Sequence, residues 1–394
     1  MRFQRTIIYT ATNILFLVSL IIFVYKGKCS ASQKATDLTE LTLEELMNIE
    51  ITSVSRKPEK LSDAASAVYV VTQEEIRRSG ATSIPELLRM VPGVQVAHIT
   101  SSKWAISARG FSDLFAKFLK VLIDGRDVYS PSFGRVNWDE VGTMLEDIER
   151  IEVIRGPGAT MWGANAVNGV INIITKKAKD TQGGLISFGG GNEEEGFGSV
   201  RYGGRLGNNV YYRTYIKYFN RDSFRDRPGE DSSDRWQVGR GGFRIDWEKS
   251  ADDTLTLQGD VYDGDLHEML AASSLFPQHL KTFRDTLDIS GNNIITCWNH
   301  IFSDTSDMKL QLYYDRMHRD DAHFREELNI VNLDFQHKFA LGEYQEIIWG
   351  LEYNFSNEEF RDSFVVSRDP DDHDLNVFSV FMQDEIELIR DLFT

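Results

Sequence analysis

Cysteine is almost missing from this chain: Cys29 and Cys297 are the two in 394 residues. That is too few for a disulfide framework or for a structural zinc site of the cysteine-rich type. Basic charge is also short, with 43 Lys and Arg against 60 Asp and Glu and a net charge of -17. A surface that must neutralise phosphates needs the opposite balance, so nucleic acid is disfavoured as a partner. The surplus acid reads as a solvated exterior and suits a protein facing the cell surface. No G-x-S-x-G, H-E-x-x-H or Walker sequence occurs, so neither catalysis nor a cofactor is implied and the chain does not read as an enzyme. The hydrophobic fraction of 41% is ordinary, and the length allows two or three domains.

One long uncharged stretch is present, Thr6 to Tyr25, preceded by Arg2 and Arg5 and followed by small residues at Ser30 and Ala31. Its apolar heart, Ile14 to Val24, has the length of a signal-peptide core, so residues 1–31 read as a secretory signal rather than a membrane anchor. Residues 32–60 form a polar, acidic leader that ends in Ile49-Glu50-Ile51-Thr52-Ser53-Val54. Alternating β-formers in a leader can add as a strand to the sheet edge of another protein, or can simply be a first strand or linker.

The most informative stretch runs from Asp147 to Lys176, DIERIEVIRGPGATMWGANAVNGVINIITK. Apolar Ile148, Ile151, Val153 and Ile154 break at Arg155, Gly156 and Pro157, and β-branched residues resume at Val170 to Thr175. Two strands around a close-packed turn are expected. A phosphate-binding loop is argued against by Met161, which stands where a third glycine or alanine belongs, and by Pro157, which removes an amide donor.

Upstream, Val68, Val70 and Val71 predict a strand. Thr72 with Glu75 predicts a capped helix that ends at Ser79-Gly80. Ser83 with Glu86 predicts a second capping box, with Pro85 in the first turn and Pro92-Gly93 as the stop. A strand is expected over Trp104 to Phe111, and a buried strand over Phe118 to Asp127 that turns at Asp124-Gly125. Beyond Asp180 the pattern has period two. Val210, Tyr212, Thr214, Ile216 and Tyr218 oppose Arg213 and Lys217, and similar alternation recurs over 255–261, 308–315 and 347–355. Apolar outside and polar inside is the pattern of a transmembrane barrel, although a soluble sandwich also alternates. His318, Asp320, Asp321 and His323 read as a solvated loop in preference to a metal site.

The block from Ile148 to Lys176 resembles the end of the plug domain of TonB-dependent outer-membrane receptors. So do Val91-Pro92-Gly93-Val94, Ile106 to Phe111 and Val121 to Gly125, which occur in family order. The resemblance implies an α+β plug domain over 61–180 followed by an antiparallel transmembrane β-barrel beginning at 181–394. The barrel reads as truncated, since about 20 residues per strand and turn yield roughly half of a 22-strand wall. A smaller complete barrel is the alternative.

The function implied is energised import of a scarce extracellular ligand, such as a siderophore-type iron chelate, cobalamin or a glycan, across the outer membrane of a Gram-negative type envelope. The partners implied are TonB of the inner-membrane coupling complex, the ligand and outer-membrane lipid. Ile49, Glu50, Ile51, Thr52, Ser53 and Val54 occupy the place of the TonB box. Arg109 and Arg155 stand at plug positions associated with glutamates of the barrel wall, with local packing as the alternative. An exported binding or signalling module that uses the plug fold without transport is the rival function.

Overall fold

A computed structural model describes residues 50–64, 66–110, 118–156, 161–163, 165–225, 231–273, 280–389 and 392–393. The signal, most of the leader and Ile49 lie outside these residues, as do 157–160 of the glycine-rich turn.

In the described leader, β1 (Glu50–Ile51) pairs with β2 (Glu59–Lys60). The plug follows with β3 (Ala67–Thr72), α1 (Gln73–Ser79), α2 (Ile84–Leu88), β4 (Val94–His98) and β5 (Trp104–Ala108). After these come β6 (Leu119–Ile123), β7 (Arg126–Asp127), β8 (Tyr129–Ser130), β9 (Arg135–Val136), β10 (Ile148–Arg155) and β11 (Gly169–Thr175). The main plug sheet has the order β3-β10-β11-β6-β7. Its β10–β11 pair is the expected pair of strands around the turn, in antiparallel register from Ile148↔Thr175 to Arg155↔Gly169.

Both faces of this sheet are covered, and β10 and β11 carry buried apolar residues on each face. Ile151, Val153, Ile171 and Ile173 pack with Ile76, Ile84, Leu87 and Leu88 from the helix side. Ile154 and Val170 face the other way and pack with Ile51 and Val54 of the leader. Gly169 is required by close approach, since a Cβ there would lie 2.3 Å from the carbonyl oxygen of Ile154. The Asp124-Gly125 turn has positive φ at both residues, 50° and 84°, as a tight turn of this hand requires.

The Thr72 capping box is formed on both sides, and Gly80 ends α1 in the left-handed region. The expected box at Ser83 is not formed. Pro85 occupies the first turn without an amide to offer, and Glu86 turns forward to Arg89 at 3.0 Å. The Ser83 hydroxyl is left buried with no hydrogen-bond partner among the described residues. The strand expected to reach Phe111 stops at Ala108, because Arg109 and Gly110 both take positive φ.

The wall is an antiparallel meander: β12 (Gly183–Gly189), β13 (Gly196–Leu206), β14 (Val210–Arg221), β15 (Trp236–Glu248) and β16 (Asp253–Ser273), then β17 (Leu280–Ser303), β18 (Ser306–Asp320), β19 (Arg325–Ala340), β20 (Gln345–Arg361), β21 (Asp372–Ile389) and the short β22 (Leu392–Phe393). Each strand pairs with its sequence neighbour. Phe188 is 82% exposed, and Ile186, Val200, Ile216, Val261, Leu312 and Val380 are exposed on the same outer side, while inward-facing Arg201, Arg213, Arg240, Gln311 and Arg319 are buried. Polar side chains inside and apolar side chains outside make this a transmembrane wall around a plug, and the soluble-sandwich alternative fails on that polarity. Among the described residues no helix is long and apolar enough to cross a membrane.

Candidate functional site at the seam of plug and wall

Period-two alternation sends every second wall residue inward, and on β13 to β18 many of these are arginines. The plug meets them with carboxylates. Arg201 bonds Asp147 directly, and Arg213 lies 3.6 Å from the same carboxyl and donates to Thr175 Oγ1 at 3.0 Å. Asp124 accepts from Thr175 N, Thr175 Oγ1 and the wall residue Gln258, each at 2.8 Å. The polarity reverses where plug Arg126 pairs with wall Asp315 and plug Lys103 with wall Glu268.

The most enclosed cluster joins the consecutive plug acids Asp139 and Glu140 to Arg319 of β18. Arg319 donates to Asp139 Oδ2 at 2.9 Å and to Glu140 Oε1, and Arg240 donates to the Glu140 carbonyl. Burial pushes the Glu140 carboxyl up to about 7; Arg319 opposes this, and the adjacent Asp139 charge adds a smaller rise of its own. Burial pushes Asp139 up as well, but Arg319 and then Arg135 overcome it and hold Asp139 below its ordinary value. One guanidinium therefore keeps one of the two acids ionised and leaves the other near neutrality.

The leader forms a second part of the seam. Ile51 is fully buried, and Thr52 N and Ser53 N donate to the Glu152 carboxylate at 3.0 and 2.9 Å. Ser53 also accepts from Trp162 Nε1 at its carbonyl and from Asn172 at its hydroxyl. Arg56 then crosses to the wall: its guanidinium lies between the rings of Trp162 and Phe381, at 4.6 and 4.5 Å, and reaches Asp334 at 3.2 Å. Lys57 bonds Glu346 and Glu385. Ile51 to Val54 is thus packed on the plug with two of its amides held, and Arg56 and Lys57 clasp the leader to the wall.

Arg109 and Arg155 lie side by side at a different place. Arg109 Nη2 donates to the Arg155 carbonyl at 3.4 Å, and Arg155 Nη1 donates to the Pro92 carbonyl at 2.6 Å. Among the described residues these bonds are all within the plug. Sequence reading missed the reverse arrangement of wall arginines on plug acids. Its signal was the inward parity of Arg201, Arg213, Arg240 and Arg319. Asp321 caps its own turn by accepting from His323 N and Phe324 N, and no metal-holding group of three His, Cys, Asp or Glu occurs among the described residues.

The two ends of the seam differ. The leader meets the wall beside the 341–344 turn, at the end of the strands that also carries turns 207–209, 249–252 and 304–305. At the opposite end, plug Ser101 donates from its amide to Asp234 at 2.7 Å, and plug Ser130 and Ser132 bond Glu326. Phe133 lies there against Phe324 and Phe360.

Residues 60–170 match the family model described as the TonB-dependent Receptor Plug Domain. The Vitamin B12 transporter BtuB of Photobacterium profundum is 30% identical over 225 residues, 55% of this chain and 36% of the relative. A Ferric enterobactin receptor of Pseudomonas aeruginosa is 29% identical over 245 residues, 51% of this chain and 32% of the relative. The crystal structure of the ferripyoverdine receptor of the outer membrane of Pseudomonas aeruginosa superimposes with a TM-score of 0.69 at 17% identity, covering 87% of this chain and 52% of that one. The chain therefore spans about a third of the length of those two curated relatives and about half of that solved structure.

Proposed function

We propose, on the premise that this chain belongs to the TonB-dependent receptors of the outer membrane, that it forms the plug and leading wall of a receptor importing a siderophore-type iron chelate. The observation that carries this reading is the polarity of the seam: an apolar outer wall encloses a plug held by charged pairs, with a leader clasp at one end and plug tips among the wall connections at the other. Ligand binds at the plug tips. TonB takes Ile49 to Val54 as an added strand after that segment leaves Glu152, and tension on it strips Arg56 and Lys57 from the wall and loosens the plug. The relatives named are transporters and receptors, which agrees with a role without covalent chemistry. Residues 1–31 serve as the export signal.

The test is uptake. Disrupting the gene should abolish growth on a ferric siderophore as limiting iron source, and the same loss should appear in a host without TonB. If growth fails instead on limiting cobalamin, the ligand is a corrinoid and the iron assignment is wrong. Ile51→Pro removes an amide donor and should abolish retention of TonB in a pull-down. Normal retention would refute the placement at 49–54.

A further inference from the structure

A cavity of about 40 Å³ lies between plug and wall, lined among others by Ser83, Trp104 and Trp138 of the plug and Lys217, Arg221 and Trp236 of the wall. Trp104 and Trp236 are 3% and 4% exposed. Their rings meet edge to face at 5.8 Å, and Phe219 closes on Trp236 at 4.5 Å. The indole nitrogens of both, and the hydroxyl of Ser83, are buried with no hydrogen-bond partner among the described residues. Buried donors left unpaired cost about 1–3 kcal/mol each, so three around one cavity call for an acceptor.

The charges agree. The Lys217 ammonium donates to the Thr143 carbonyl at 3.3 Å and has no carboxylate within ion-pair distance among the described residues. Arg221 lies 5.9 Å from each of the two indole rings. The acids that also line the cavity are already held, Asp139 by Arg319 at 2.9 Å and Glu194 by Arg221 at 3.4 Å. Indole N–H and ammonium groups can only donate, so this set cannot coordinate a cation.

We infer that this cavity seats a small oxyanion, a carboxylate or a phosphate group, that bridges plug and wall. The volume admits a group larger than one water and excludes a chelate or a corrin ring. The seat is separate from the import reading and stands without it. Bound there, the anion would satisfy the two indoles, the serine and the lysine together and tie α2 and β5 to β14 and β15.

The experiment is calorimetric titration of the full 394-residue chain, purified in detergent, with inorganic phosphate and separately with acetate at constant ionic strength. Saturable binding of at least one is expected. Phosphate alone would mark a phosphoryl seat, whereas acetate as well would show that a carboxylate suffices. Trp236→Phe keeps the ring against Phe219 while deleting one donor, and Lys217→Met deletes the charge; each should weaken binding about tenfold. Circular dichroism verifies that both variants are folded. Absence of saturable binding of either anion by the folded wild-type chain, or unchanged affinity in Trp236→Phe, would overturn the assignment and leave the cavity to water.

Discussion

Replacing Arg319 with alanine removes the one cation that both Asp139 and Glu140 bond through their carboxylates. Arg319 is 2% exposed, and breaking a buried ion pair by deleting one partner costs about 3–5 kcal/mol, because the other charge stays buried without compensation. Here the cost depends on pH. Glu140 is held at about 7 against an ordinary 4.5, which corresponds to about 3 kcal/mol of preference for its neutral form. The folded state therefore binds more protons at this site than the unfolded state between those two values, and wild-type stability falls as pH rises through that window. Asp139 has the opposite sign, since its lowered value makes its contribution disappear only as pH falls below the ordinary carboxylate range. In Arg319→Ala Glu140 rises further and Asp139 loses the cation that holds it down. Protonation relieves much of the loss at about pH 5.5, and the full loss of about 3–5 kcal/mol is expected at about pH 8. The assay is thermal or urea unfolding of the chain in detergent, followed by tryptophan fluorescence with Trp138 beside the site, at both pH values. Glu140→Gln in the same background should flatten the pH dependence. A loss below about 1 kcal/mol, or equal losses at the two pH values, would refute this account of the cluster.

Glu152→Gln takes the charged acceptor from the Thr52 and Ser53 amides, and tryptic cleavage after Arg56 in the native protein should speed up about tenfold or more; an unchanged cleavage rate would show that Glu152 does not hold the clasp. Arg109→Ala combined with Arg155→Ala should lower plug stability by about 1–3 kcal/mol, as expected for lost bonds to carbonyls, while antibiotic leakage through the lumen stays the same. Increased leakage with unchanged stability would return these arginines to the wall. Gly169→Ala drives a Cβ against the Ile154 carbonyl, and a loss of about 1–3 kcal/mol in unfolding experiments is expected; a neutral result would mean that β10 and β11 can part without cost.

The strands, the first helix cap and the tight turns were legible in the sequence because each is set within a few residues. Thr72 and Glu75 close their box over three residues, Asp124-Gly125 needs only its own backbone freedom, and period two in Val210 to Tyr218 assigns the faces of β14 without reference to any neighbour. The resemblance of the plug block was legible for the same reason, being carried by contiguous residues. Partnerships across the fold were not. Arg319 and Asp139 are separated by 180 positions and Ser53 and Glu152 by 99; no local rule brings them together, and what pairs them is the docking of plug into wall. So the sequence alone determined that Arg213 would face inward and that Arg109 would carry a charge. Only the tertiary structure decided that the wall supplies most of the seam's arginines, that Arg109 and Arg155 bond plug carbonyls, and that Ile51 to Val54 starts as buried core. The reason is that a buried charge takes whichever counter-charge packing places beside it, and packing is a property of the whole chain.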